Sequence, residues 1–383
     1  MAMSTFQSAL RASTFALLAA AVYSNVSFAA DADAPDSGGK PLIEGTVLFE
    51  LQNDYAFDSD DPGAEINDLF ATIEAALALN INEFISVQSL FVLEPVRDPT
   101  PFDDRFIEDH GGFFEELYLQ FAFGNFRVFG GKFDASFGTA WDKAPGIYGV
   151  DFAEDYDLVE RIGGGVAVSG RHAAFGDVTV TANVFFADTS VLSESIFTNR
   201  GRVRVSDGGA SNTESLESVS LTLDGENVAA ISDFTYHIGY RHQAAGAGDA
   251  GDEDGVVAGF AKGFTLADGN KLETIVEGVF LNRADGGLDD LYYLTTGAAY
   301  IFGPWNVSGS YTLKEADVAG GPDVTDHLAQ LSAGYAFESG LTLDAGYRYS
   351  READVETHII GVLLTYEYDV AKGLKQLHGL GVY

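Results

Sequence analysis

The segment Ile360-Gly361-Val362-Leu363-Leu364-Thr365-Tyr366-Glu367-Tyr368 carries a large apolar or aromatic side chain at every second position. Successive side chains of a β-strand point to opposite faces. One face of this segment therefore holds the apolar residues from Ile360 to Tyr368, and the other face holds Gly361, Thr365 and Glu367. An apolar outer face that ends in aromatic residues, with a polar inner face, is typical of a strand in a closed transmembrane β-barrel.

Segments with the same alternation recur along most of the chain. They predict an all-β fold, a transmembrane antiparallel β-barrel of about 16 strands over residues 42–368, with fourteen or eighteen strands as alternatives. Short turns such as Gly124-Asn125 alternate with long loops, which is the asymmetry between periplasmic turns and extracellular loops. The predicted strands are 42–53, 68–79, 84–94, 116–123, 126–133, 158–168, 178–186, 215–224, 229–242, 255–266, 270–282, 291–302, 305–314, 327–337, 340–350 and 357–368.

The two ends of the chain differ from the barrel segments. Residues 1–29 have the pattern of a cleaved secretory signal peptide, with Arg11, a short apolar run and the small-x-small site Ser27-Phe28-Ala29. The polar residues 30–41 predict a flexible lead-in. Residues 369–383 follow the predicted last strand and predict a periplasmic tail, with the alternative that 377–383 forms the closing strand.

The composition agrees with an exported barrel. Hydrophobic residues make up 46% of the chain and aromatic residues 13%, and there is no cysteine, so disulfide bonds are excluded. After the signal peptide, no apolar run reaches the length of about 18 residues that predicts a membrane-spanning helix. The net charge of −37 at pH 7 opposes nucleic-acid binding and favours cations as partners.

In this architecture the chain resembles the general porins of Gram-negative bacteria over residues 42–368. The resemblance rests on the signal peptide, the sixteen-strand pattern and the long loop after the fifth strand, residues 134–157. It implies a water-filled pore in the bacterial outer membrane for passive diffusion of small hydrophilic solutes, a homotrimer, and contacts with outer-membrane lipid and lipopolysaccharide. It also implies that the third extracellular loop folds inward and narrows the pore. The chain departs from porins in its tail, and it lacks an arginine-rich wall opposite this loop.

The inner faces of the predicted strands carry more carboxylates than basic groups. Rings of Asp and Glu favour cations in a pore, so this excess predicts a cation preference. For any single carboxylate, the alternative is a solvated group or a partner of a nearby arginine. The predicted lumen charges are Glu44, Glu50, Glu74, Glu116, Asp233, Glu273, Glu277, Asp344 and Glu367 against Arg161, Arg241, Lys271 and Arg348. The predicted pore constriction is formed by Asp134, Asp142, Asp151, Glu154, Asp155, Asp157 and Trp141, with Lys143 as the single cation of that loop.

Other functions stay open from the sequence. One is a substrate-specific porin for a sugar or a siderophore, and another is a plugged structural or adhesive barrel. An enzyme is the last alternative, because no recognisable nucleophile motif accompanies the inward-facing His237, Asp233 and Arg241. We therefore expect no catalytic residue and no cofactor.

Two loop features predict contacts outside the pore. The acidic runs 249–255 and 58–61 offer oxygen ligands that suit weakly bound calcium, although their spacing is not that of an EF-hand and no specific metal site is predicted. In the fourth long loop, Arg200, Arg202 and Arg204 alternate. They predict contacts with lipopolysaccharide phosphates or a neighbouring subunit, with a solvated loop edge as the alternative.

Overall fold

The computed structural model describes residues 41–373, which form one antiparallel barrel. Within these residues, sixteen long strands form the wall, and two strands of two residues each, β4 (Arg105–Phe106) and β9 (Ile196–Phe197), lie in loops. The predicted fold class and strand number are confirmed. The wall strands are β1 (Ile43–Ser59), β2 (Asn67–Asn80), β3 (Ile85–Pro95), β5 (His110–Phe123), β6 (Phe126–Ala135), β7 (Leu158–His172), β8 (Gly176–Ala187), β10 (Ser218–Glu226), β11 (Phe234–Gln243), β12 (Glu253–Thr265), β13 (Lys271–Asn282), β14 (Asp290–Phe302), β15 (Trp305–Asp317), β16 (Val324–Ala336), β17 (Leu341–Glu352) and β18 (Val355–Asp369).

Strand β18 closes the barrel by pairing with β1. The register places Leu51 opposite Leu364 and Phe49 opposite Tyr366, and it continues to Asp369. A closed wall leaves no strand edge with unpaired backbone groups, which is what the hydrocarbon core of a membrane requires. The closing strand is therefore the segment that ends in the aromatic pair Tyr366 and Tyr368.

The alternation along each strand sorts the side chains between two environments. Phe49 and Val362 are 42% and 47% exposed on the outside, whereas their chain neighbours Glu50 and Leu363 are 7% and 0% exposed on the inside. The strand parity that the sequence predicts for the two faces therefore holds in β1 and β18. Polar groups face the lumen and apolar groups face outward, as in transmembrane barrels.

Several strands extend further than the sequence predicts. β1 extends to Ser59 through residues expected to belong to a loop, because Asp58 and Ser59 pair with His358 and Thr357 of β18. At the other end of the barrel the turns are tight. Gly124 and Gly303 each adopt a positive φ, at 56° and 57°, in two-residue turns, a conformation that glycine adopts without steric cost.

The third long loop lies inside the barrel. It leaves β6 after Ala135 and rejoins the wall at Leu158, so it spans residues 136–157. Its buried residues Phe137 and Tyr156 pack with inner-face residues of β13 such as Ile275, in one hydrophobic cluster. The apolar core of this protein therefore sits between the third loop and one side of the wall.

The loop's departure leaves the upper part of β5 without its β6 partner. The short strand β9, from the fourth long loop, pairs there with Gly111 and Gly112. Two strands away, β4 pairs with Asp68 and Leu69 of β2 in parallel. The second and fourth loops thus complete the hydrogen bonding of the extracellular rim.

Three predictions fall on parts of the chain outside the described residues. These are the signal peptide 1–29, the lead-in 30–41 up to its last residue, and the tail beyond Gly373. Among residues 41–373, no helix has the length and apolarity needed to cross a membrane.

Candidate pore-lining site

The third loop enters the lumen through a hinge at Gly138–Ala140. The Gly138 N–H donates to Nε2 of His237 at 3.1 Å, and the N–H groups of Thr139 and Ala140 donate to Glu277 at 2.8 and 2.9 Å. Gly138 has a φ of +77°, and a Cβ there would lie 2.8 Å from the ring of Tyr156. The hinge therefore needs glycine for its backbone conformation and for the space.

The carboxylate of Glu277 is the main acceptor at this hinge. It also accepts hydrogen bonds from the hydroxyls of Thr139 and Tyr156, both at 2.8 Å, and its side chain is 1% exposed. A buried carboxylate with four donors is satisfied without a basic partner. Glu277, a predicted lumen charge, thus faces inward, and hydrogen bonds from the loop occupy its carboxylate.

The middle of the loop crosses towards β1. The Gln330 amide donates to the Pro145 carbonyl at 2.6 Å, and the Ile147 N–H donates to the Ser332 hydroxyl at 3.2 Å. The Tyr148 hydroxyl then donates to Asp54 of β1 at 2.6 Å. The loop is therefore bound to strands far apart along the chain, from β11 round to β1.

Ion pairs attach the second half of the loop to the same side. Asp151 lies 2.9 Å from Nε of Arg348 on β17, and Asp155 lies 2.6 Å from Nζ of Lys314 on β15. Tyr293 donates a further hydrogen bond to Asp155 at 3.1 Å. These two predicted constriction carboxylates are thus bound to basic groups of the wall.

On the other side of the lumen, carboxylates face one another. Glu74 of β2 interacts electrostatically with Asp142 of the loop, and Asp134 at the end of β6 interacts with Glu116 of β5 and with Asp157. The N–H of Asp134 donates to Glu116 at 3.2 Å, which holds the two residues together. The structure therefore brings these five predicted residues to one acidic region.

The titration of the loop carboxylates reflects their burial. Desolvation raises the pKa of Asp157 to about 8, and the nearby negative charge of Glu115 adds to this. Burial also raises the pKa of Asp142, against the favourable charge of Lys143. Asp151 has a pKa raised to about 7 by burial, even though Arg348 lowers it. Like charges and low solvation both disfavour the ionised form.

The remaining predicted residues occupy several places. Trp141 is partly buried and donates from Nε1 to the Phe137 carbonyl at 3.2 Å, so it packs against the loop's own core. Arg161 faces inward and donates to the Ser211 hydroxyl at 2.9 Å. Glu154 begins the short turn Glu154–Tyr156. Glu44, Glu50, Glu273, Asp344, Glu367 and Lys271 lie in wall strands at inner-face positions.

Two sequence predictions need correction. Asp233 lies in the turn before β11, with a φ of +48°, because the strand begins at Phe234 and not at residue 229. Asp134 belongs to the end of β6 and not to the loop. Sequence reasoning also missed Asp54, Asp224 and Lys314, although the same inward parity applies to all three.

Arg241 binds both a wall strand and the third loop. Its Nε donates to Glu253 at 2.7 Å, and its Nη1 donates to the Tyr156 carbonyl at 2.6 Å. Its guanidinium also lies over the ring of Phe137, 4.7 Å from the centroid. This predicted lumen charge is thus a further attachment point of the third loop.

The acidic loop runs are occupied by their own chain. Asp249 accepts from the N–H groups of Gly209 and Gly246 at 3.0 and 2.7 Å, and Asp252 accepts from the Ala245 N–H at 2.8 Å. In the part of the chain that the structure describes, no three His, Cys, Asp or Glu residues come together to hold a metal ion. Calcium binding in these loops stays a prediction.

The three arginines of the fourth loop do not share one side. Arg200 pairs with Glu160, and its guanidinium lies 3.6 Å from the centroid of the Phe113 ring. Arg202 donates to the Thr189 carbonyl at 2.9 Å. Arg202 and Arg204 are exposed, whereas Arg200 is half-buried against Phe113, so the three guanidinium groups do not form one row.

Comparisons with known proteins show the fold. No family model and no curated protein match the chain. Among solved structures, the outer-membrane channel DcaP of Acinetobacter baumannii matches with a TM-score of 0.55 at 12% identity, covering 87% of this chain and 99% of DcaP. OccK2 (OpdF) of Pseudomonas aeruginosa in complex with glucuronate matches with a TM-score of 0.51 at 9% identity, over 87% and 100% of the two chains.

A loop-deletion mutant of OmpT, an outer-membrane protein of Vibrio cholerae, matches with a TM-score of 0.52 at 12% identity, over 85% and 99% of the two chains. Identities this low carry the fold and no more. The predicted resemblance to porins is confirmed at that level: the chain has the closed sixteen-stranded barrel fold of bacterial outer-membrane channels.

Proposed function

We propose that this protein is an outer-membrane channel for passive diffusion of small hydrophilic solutes, with a preference for cations. The observation that carries the proposal is the attachment of the third loop to the inner wall, which holds the loop inside the lumen. Hydrogen bonds to Glu277 and Asp54 and the ion pair with Arg348 attach it from β11 round to β1. Glu74 of β2 lies outside this span of strands and interacts electrostatically with Asp142 of the loop.

The cation preference follows from which charges stay available. Arg348, Lys314 and Arg241 are each bound to a carboxylate, so their positive charges are balanced on the attached side. In the acidic region, carboxylates of the wall and the loop interact with one another, and Arg127 and Arg161 offset only part of their charge. Fixed charges of one sign in a narrow, low-dielectric passage concentrate mobile ions of the opposite sign.

A substrate-specific channel is the second candidate. A structural neighbour was solved with glucuronate and another, OpdK of Pseudomonas aeruginosa, with vanillate. Both solutes are carboxylates, whereas the acidic region of this chain repels anions. If the channel is specific, we expect a cationic or neutral solute. The homotrimer, the contacts with lipopolysaccharide and the export signal stay predictions.

The enzyme alternative loses its best residue. Both ring nitrogens of His237 are engaged, with Asp224 at 2.6 Å and with the Gly138 N–H at 3.1 Å, so neither can act as a general base without breaking a contact. The remaining alternative is a plugged barrel, which differs from the proposed channel in that it conducts no ions.

Single-channel recording of the refolded protein in a planar bilayer under a potassium chloride gradient tests the proposal. We expect stable conductance with a reversal potential that favours potassium, and exclusion of larger polyethylene glycols from the pore. An anion-favouring reversal potential would contradict the role of the acidic region. An absence of conductance in a verified folded barrel would favour the plugged barrel.

A further inference from the structure

His237 is a buried histidine whose protonation state is defined by its two partners. Its side chain is 4% exposed, on the inner face of β11. The Gly138 N–H can only donate, so Nε2 of His237 must accept that hydrogen bond. The proton of the neutral ring therefore sits on Nδ1 and points at Asp224 of β10, 2.6 Å away.

The contact with Gly138 lies at the hinge where the third loop turns into the lumen. The next two residues of the loop bind Glu277, so the hinge has two acceptors from the wall, one on β11 and one on β13. These differ in chemistry, because protonation converts the imidazole Nε2 from an acceptor to a donor.

The charges around His237 come from every element that packs against it. They are Asp224 on β10, Glu277 on β13, Arg241 on its own strand, and Lys143 from the loop. The hydroxyl of Tyr156, also from the loop, is uncharged. On the facing strand β12, the residue opposite His237 is Gly259, which has no charge. Protonation of the ring therefore keeps the partner Asp224 and affects the Gly138 contact directly.

We propose that His237 is a positioning residue of the channel, whose neutral imidazole holds the hinge of the third loop and whose protonation releases it. The imidazolium carries N–H groups on both nitrogens, so Nε2–H then faces the N–H of Gly138 and the hydrogen bond is replaced by repulsion. The hydrogen bond to Gly138 exists only while the loop is attached to the wall. Its loss in acid therefore destabilises the attached state alone and shifts the equilibrium towards a released loop. The inference rests on the proposed channel function.

Two substitutions separate this role from a merely structural one. His237→Gln keeps a side-chain oxygen that accepts from the Gly138 N–H, and the glutamine amide has no titratable proton. His237→Phe removes the acceptor at every pH. Single-channel recordings between pH 8 and pH 5 would measure the fraction of time spent at the altered conductance level. We expect about a tenfold rise on acidification in the wild type, the effect of losing one hydrogen bond.

For His237→Gln, the fraction of time at the altered conductance level should stay low between pH 8 and pH 5. For His237→Phe, this fraction should be high already at pH 8. Identical pH profiles of the wild type and His237→Gln would overturn the proposal. So would a low fraction for His237→Phe at pH 8.

A fluorescence measurement keeps the test independent of conductance. The chain has two tryptophans, and Trp141 directly follows the hinge Gly138–Ala140. In a Trp305→Phe background, the emission of Trp141 reports the loop alone. We expect a spectral change between pH 8 and pH 5 that His237→Gln abolishes. If the barrel conducts nothing but this change occurs, the hinge stands and the channel function fails. If the barrel conducts and the emission of Trp141 does not change with pH, the proposed role of His237 is wrong and the channel function stands.

Discussion

Two sides of the lumen carry inward-facing carboxylates of the same strand parity but hold them differently. On β13, Glu277 accepts four hydrogen bonds from the third loop, at 2.8 to 2.9 Å. On β2, Glu74 faces Asp142 of the same loop, carboxylate against carboxylate. Inward orientation alone therefore does not make a carboxylate part of the ion path. In the proposed channel, a carboxylate is an attachment point where the loop supplies hydrogen-bond donors, and it is a charge that mobile ions meet where the loop supplies further acids.

The largest effect is expected from Glu277→Gln. The amide replaces part of the acceptor by an N–H₂ group, so at least one buried donor of the hinge loses its partner, at a cost of about 1–3 kcal/mol for each such group. We expect a free energy of unfolding lower by about 3 kcal/mol, measured with urea in detergent. Unitary conductance should rise, because the loop is no longer held against β13.

Glu74→Gln is the matched control for this substitution, because it makes the same chemical change on the acidic side. It removes a repulsion and no hydrogen bond that the structure shows, so its unfolding free energy should be unchanged or higher. If both variants lose stability equally, the contrast between the two sides is wrong.

The next effect concerns ion selectivity. Removing both carboxylates with Glu74→Gln and Asp142→Asn should lower the cation-to-anion permeability ratio two- to fourfold at about pH 9. The alkaline pH is needed because burial raises the pKa of Asp142. The estimate comes from about 0.8 kcal/mol for a cation about 5 Å from a carboxylate in water. The measurement is the reversal potential under a salt gradient, at low ionic strength because salt screens the effect.

Glu315→Gln on β15 serves as the control for selectivity, because Glu315 is exposed at an outward position of the strand. Its reversal potential should match that of the wild type. An equal shift in the control would assign the selectivity to the total charge of the protein and not to the acidic region.

The smallest effect should come from the pH dependence of Asp157. Burial raises the pKa of Asp157 to about 8, so the folded protein favours its neutral form. Its contribution to stability is present below the ordinary Asp pKa and is lost as the pH rises through about 8. We expect unfolding free energy to fall and cation preference to grow between pH 5 and pH 9. Asp157→Asn should reduce the pH dependence of both the unfolding free energy and the cation preference. If the variant keeps the full pH dependence, Asp157 is not its source.

Much of the wall was predictable because strand parity is local. Alternation placed Glu50 and Thr365 inside and Phe49 and Tyr366 outside, and the structure agrees. Strand ends were less predictable. The polar residues of β1 beyond Asn53 resemble a loop in sequence, yet they pair with β18 above the apolar band. At Asp233 the opposite happened, since a left-handed backbone conformation ends the strand pattern one residue before Phe234.

The interior of the barrel was not predictable in the same way. The hydrogen bond from Gly138 to His237 joins residues 99 positions apart, and the one from Tyr148 to Asp54 joins residues 94 positions apart. No periodicity connects such positions. For the same reason, the stacking of Arg200 on Phe113 was not foreseen from an alternating row of arginines.

The amino-acid sequence by itself determined the closed barrel, its strand number and the inner and outer faces, because hydrogen-bonded strands with an apolar outer face have one way to satisfy their backbone in a membrane. It also predicted an excess of carboxylates over basic groups on the inner face. Only the tertiary structure decided which carboxylates the third loop neutralises by hydrogen bonds and ion pairs. That division depends on where the loop packs, and its packing is set by contacts such as those of Phe137 and Tyr156 with distant strands.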